Sequence, residues 1–155
     1  MSGMKRYFLF FSACLLFAAC RNKKSNAPDV EEDSAQIVYN WQAILNDSTG
    51  RLEMKKVEAT GPDTLSPEAV VSYLNSTNNN VQLVILKISG DTVYLKISDA
   101  SYLTQQMGST GSTMYLAQVI YNLTEIPGIN NVTLDFEEGD HASPGTFDRD
   151  SFKDK

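Results

Sequence analysis

Two basic residues, Lys5 and Arg6, an apolar run from Tyr7 to Phe17 broken only by Ser12, and then Ala18-Ala19-Cys20 set aside the start of this chain before any folding argument begins. A charged opening, a short apolar middle and small residues at the far end are the parts of an export leader. A helix that stays in a bilayer needs about 20 consecutive apolar residues, and this run falls well short. Residues 1–19 are therefore expected to be cut away as a signal peptide.

Leu16-Phe17-Ala18-Ala19-Cys20 resembles the bacterial lipobox, in which the thiol directly after the cut accepts a diacylglyceryl group; Phe17 stands where leucine is usual. One acyl chain binds membranes marginally, at about 0.8 kcal/mol per buried methylene, whereas two or three hold firmly. The resemblance implies an exported protein anchored to membrane lipid through acylated Cys20, facing the periplasm or cell exterior. The plainer alternative is a secretory leader with Cys20 as a leftover thiol.

Cys14 lies in the leader, so the mature chain has one cysteine and no disulfide framework. With His141 as the one histidine, a nitrogen–sulfur metal site is not expected, nor is any cofactor. Losing Lys5 and Arg6 takes the formal charge from −6 to −8. A nucleic-acid partner, which needs a basic surface, is not expected.

After Cys20 the segment RNKKSNAPDVEEDSAQ has almost no large apolar residue and cannot bury enough surface to offset ordering, so residues 20–36 read as a tether. Roughly 115 residues follow, enough for one domain. Residues 37–140 form it, with 141–155 a polar, loosely packed tail. Ile37 to Leu45 and Leu52 to Val57 flank the turn formers Asn46-Asp47-Ser48-Thr49-Gly50, an opening hairpin. Ser66-Pro67-Glu68 starts a short helix carrying Val70, Val71, Tyr73 and Leu74. Val81 to Ile88, nearly continuous in apolar residues, suits a strand covered on both faces, and Ser89-Gly90-Asp91 turns it into a second strand with Val93, Leu95 and Ile97 inward. After a loop with Gly108 and Gly111, Ser112 is expected to cap a second helix that stops at Pro127-Gly128; Val132, Leu134 and Phe136 then alternate as a last strand. The fold class is α+β, a two-layer α/β sandwich with two helices on one face of a small mixed or antiparallel sheet.

From Gly90 to Gly139 the chain resembles the GerMN, or sporulation and spore germination, domain of bacterial envelope proteins. GDTVYLKIS is similar to that family's hairpin strand, and YLAQVIYNLTEIPGINNVTLDFEEG to its last helix, Pro-Gly turn and last strand. WQAILNDSTGRLEMKKVE and PEAVVSYLN fit its first half in outline, although STNNNVQL replaces its usual proline-glycine segment. The resemblance implies an extracytoplasmic, often lipid-anchored module without established catalytic residues, associated with envelope assembly. It implies an envelope protein partner or self-association; the alternative is a module binding a small molecule or peptidoglycan fragment.

Several constellations invite chemistry. Gly108 to Thr113 precedes a helix but lacks the lysine of a phosphate loop, and reads as a capping turn. Asp135, Glu137, Glu138 and Asp140 offer oxygen ligands, but Gly139 falls at the fifth position of the run where a calcium loop needs its sixth; they read as a solvated acidic turn. A glycosidase would need two carboxyls about 5 to 9 Å apart across a cleft, and a serine hydrolase a positioned histidine, whereas His141 sits in a surface segment. No enzyme is expected. In the second helix Leu116, Val119, Ile120 and Leu123 form a stripe about 100° wide for the sheet. Met114, Gln118, Tyr121 and Glu125 then lie opposite, toward solvent, as a partner-binding face rich in interface residue types.

Overall fold

The opening hairpin forms where the turn residues place it. β1 (Asn40–Leu45) and β2 (Leu52–Val57) pair antiparallel, from Asn40 with Val57 to Leu45 with Leu52. Asn46 organises the turn: its side-chain oxygen accepts from the N–H groups of Ser48 and Thr49, and its carbonyl from Gly50. The computed structural model describes residues 40–57, 64–153 and 155; the leader, Cys20, the tether and the hairpin's expected first residues, Ile37 to Tyr39, lie outside them.

α1 (Pro67–Thr77) begins at the expected cap, with Ser66 Oγ accepting from the Ala69 N–H at 3.2 Å and proline in the first turn. It buries Val70, Val71 and Leu74. β3 (Leu83–Ser89) turns through Gly90-Asp91 into antiparallel β4 (Thr92–Ile97), with a bulge between Ile85 and Lys87. Val93, Leu95 and Ile97 are buried, as alternation requires.

β3 itself differs from expectation. Covered on both faces by its sequence, it is instead the edge of a four-stranded sheet in the order β3-β4-β5-β6, with Val84, Leu86 and Ile88 exposed to 50%, 54% and 44%. An apolar run specifies burial only if something arrives to cover it, and periodicity does not encode the neighbour.

The second helix begins earlier than its sequence suggests. A π-helical turn, Tyr102–Gln106, leads almost directly into α2 (Gly108–Leu123), so Gly108 to Thr113 are helical and not a loop. Ser112 lies buried within α2, its hydroxyl donating to the Leu103 carbonyl; it stitches two helical segments together and caps neither. Gly108, at φ 71°, makes the bend between them, in a backbone region that strains other residues.

Leu116, Val119, Ile120 and Leu123 are buried in the core, as their spacing predicts. β5 (Asn131–Asp135) runs parallel to β4, and α2 supplies the long crossover that parallel neighbours require. Val132, Leu134 and Phe136 alternate inward.

The expected loose tail is structured. β6 (Gly145–Phe147) pairs antiparallel with β5, and a 3-10 turn (Arg149–Phe152), capped by Asp148, buries Phe152 with its ring 6.0 Å from that of Phe147. Two phenylalanines anchor a segment whose average polarity conceals them. Gly139 permits this route: a Cβ there would lie 2.7 Å from that of Thr104, whose carbonyl accepts the His141 N–H. The protein is thus α+β, with α1 and α2 on a mixed sheet and the β1–β2 hairpin, a two-stranded sheet of its own, laid over α2 as an additional cover.

Candidate functional site

Met114, Gln118, Tyr121 and Glu125 do lie on the side of α2 away from the buried stripe. They do not face solvent: all four are half-buried, because the hairpin crosses them. Asn122, buried beside them, grips β1 with both ends of its amide. Its Oδ1 accepts from the Trp41 N–H at 3.0 Å, and its Nδ2 donates to the carbonyls of Trp41 and Gln118, each at 2.8 Å.

Glu125 is the centre of this contact. Trp41 Nε1 donates to its Oε2 at 2.9 Å, Lys56 of β2 pairs with its Oε1, and Arg149 Nη2 reaches Oε2 at 2.8 Å. Arg149 also donates to the Tyr121 carbonyl and, through Nε, to Thr124 Oγ1. Its guanidinium lies 5.1 Å from the Trp41 ring and 5.0 Å from that of Tyr121, while those two rings meet edge-on at 5.3 Å. Burial disfavours the charged carboxylate, but hydrogen bonds from Lys56, Arg149 and Trp41 outweigh it and lower the Glu125 pKa to about 2. A carboxylate fixed in its ionised form cannot deliver a proton near neutral pH. Its three partners join the hairpin, α2 and the C-terminal turn.

At the other end of α2, Ser109 Oγ lies 3.1 Å from His141 Nδ1. A nucleophilic serine needs a base that is itself oriented by a third group. Among the described residues no carboxylate is hydrogen-bonded to the His141 ring, and the exposed pair ties the 141 loop to α2. Beside it a hollow of about 310 Å³ opens between the hairpin turn and the first turns of α2, lined by Leu45, Leu52, Ser109, Thr110, Thr113 and Met114 among others. Asp135, Glu137, Glu138 and Asp140 are exposed, and Glu138 accepts from Ser143 Oγ at 2.6 Å. Among the described residues no three His, Cys, Asp or Glu side chains come together as metal ligands, and no helix is long and apolar enough to cross a membrane.

Sequence reasoning missed Trp41, Lys56, Asn122 and Arg149. One signal was available: Asn122 interrupts the apolar run of α2 next to Leu123, and a buried mid-helix amide needs partners. Which partners it finds, 81 residues away, no local pattern states.

The architecture defines a small α+β module braced by a polar cluster over its crossover helix. The family described as Germane, sporulation and spore germination, matches residues 26–140, and the chain belongs to that family. The match begins within the segment read as a tether and ends where the tail was expected to start. The family is not known as enzymatic. No curated protein matches the chain. Among solved structures, it is similar to the tandem GerMN domains of the sporulation protein GerM from Bacillus subtilis, at 14% identity and a TM-score of 0.43, over 72% of this chain and 44% of that one. The chain therefore spans less than half of that structure.

Proposed function

We propose that this chain is a lipid-anchored cell-envelope protein whose sporulation- and germination-type domain binds another protein, or a further copy of itself, at a membrane surface and catalyses no reaction. Membership of the Germane family over residues 26–140 carries the reading, and Glu125 supports its non-catalytic part. Half-buried beside aromatic rings, it occupies the kind of setting in which an enzyme would raise a carboxyl pKa, yet three donors hold it ionised and engaged in joining hairpin, helix and C-terminal turn. The anchor is supported by the leader and by Ala18-Ala19-Cys20.

Mass spectrometry of the mature protein tests the anchor, with a diacylglyceryl-modified Cys20 as the expected N-terminus. An unmodified thiol, or partition into the aqueous phase of a detergent separation, contradicts it. Crosslinking in intact membranes tests the interaction: protein adducts are expected, and their absence overturns it. The hollow beside Leu45, Leu52 and Met114 favours a second reading, a binder of small molecules or peptidoglycan fragments. Saturable calorimetric binding of such fragments, lost on Met114→Glu in a folded protein, would establish it.

A further inference from the structure

The four-stranded sheet ends in two unlike edges. β6 is three residues long, follows Pro144 and runs directly into the turn that buries Phe152, so it presents little free backbone. β3 is seven residues long. Its first residue is closed off by a side chain: Asn75 Nδ2 donates to the Leu83 carbonyl at 2.9 Å, and Asn75 Oδ1 accepts from the Leu83 N–H at 2.8 Å. From Val84 to Ser89 the backbone has no partner beyond β4 among the described residues. Three of the four large exposed apolar residues among those described, Val84, Leu86 and Ile88, stand on this strand. An open edge carrying such side chains is a template for another strand.

Charge decides what can arrive. The chain is acidic, with carboxylates gathered at Asp135 to Asp140 and at Asp148 and Asp150, but β3 and β4 carry none, only Lys87 and Lys96. Lys87 folds over the Tyr94 ring, 4.4 Å from its centre. Two copies that meet along this strand bring no strand carboxylates together, and the Lys87 of each lies back on its own Tyr94 ring.

We propose that two copies of this chain pair antiparallel, β3 to β3, joining their four-stranded sheets across a two-fold axis. The Asn75 amide bounds the paired segment at one end and the Gly90-Asp91 turn at the other. Since the β6 edge is short and followed by a packed turn, the assembly closes at two copies and does not extend. The bulge between Ile85 and Lys87 bends and twists the strand, so the two-fold pairing accommodates one extra residue in each copy. This deepens the interaction reading given above and rests on it, because copies anchored on one membrane meet at raised effective concentration.

Hydrogen exchange and sedimentation of the mature chain over a range of concentrations test the pairing. The expected result is a dimer whose Ile85 to Ile88 amides gain protection as concentration rises. Leu86→Lys, or Ile88→Lys should the first variant misfold, weakens the dimer roughly tenfold or more with the circular dichroism spectrum and melting temperature retained. Thr146→Lys on β6 leaves it intact. Exchange that is independent of concentration, or a dimer that survives both β3 substitutions in folded protein, overturns the proposal. Membrane crosslinks to other proteins but never to a second copy remove the pairing and leave the interaction reading standing; no protein adducts at all remove both.

Discussion

On one side of α2, Leu116, Val119, Ile120 and Leu123 are buried among other apolar side chains; on the other, Tyr121, Asn122 and Glu125 meet the hairpin through hydrogen bonds, ring contacts and ion pairs. Among the described residues, the first side belongs to a core whose buried apolar members lie between Val70 and Phe152, while the hairpin adds only the partly buried Leu52 and Met54. One helix therefore joins two layers by different physics. Apolar burial is tolerant of which neighbour supplies the surface and grows with area. A polar junction is directional, and a single missing partner strands the others.

Three substitutions probe that difference. Ile120→Ala empties a fully buried site on the sheet side and should cost about 3 kcal/mol of global stability, read as an earlier midpoint in denaturant melts with an unchanged slope. Asn122→Ala on the hairpin side should cost about 2 kcal/mol. Its signature is local: amides of β1 and β2 exchange faster while those of β4 and β5 keep their protection. If both substitutions loosened sheet and hairpin equally, the two sides would be one cooperative unit and the distinction would fall.

Glu125→Gln should have the smallest effect, about 1 kcal/mol at neutral pH, since Lys56 and Arg149 are partly solvated. Its pH dependence is more telling. The folded-state pKa of about 2 lies below the ordinary 4.5, so the stabilisation is complete above about pH 4.5 and is lost as pH falls toward 2. Melting temperatures of wild type and Glu125→Gln should converge across that interval. A gap that stays constant down to pH 2 would locate the contribution elsewhere.

The same division explains what could be read from the amino-acid sequence. Ser66-Pro67, the Asn46 to Gly50 turn, the 93-95-97 alternation and the 116-119-120-123 stripe are local signals, and each element stands where they place it. The face of Met114, Gln118, Tyr121 and Glu125 was placed on the correct side of α2, but its cover comes from Trp41 and Lys56, 84 and 69 residues from Glu125, and from Arg149. The exposure of β3 depends on what lies beyond it. The order in 141–155 rests on Phe147 and Phe152 finding each other across a polar stretch.

The crossover between β4 and β5 also sets the order in which the chain can assemble. β3 and β4 close a two-residue turn, whereas the parallel pair joins Thr92 to Asn131, thirty-nine positions apart. Closing the longer loop costs more chain entropy before any contact repays it, so the β3–β4 ribbon and the local turns of α2 are expected to gain protection first in refolding, and the parallel pair after α2 has shortened the gap. Until then β4 is open on one side and β3 on the other. A ribbon formed first has both edges bare until β5 pairs, which pulsed hydrogen exchange would read as late protection of the β5 and β6 amides.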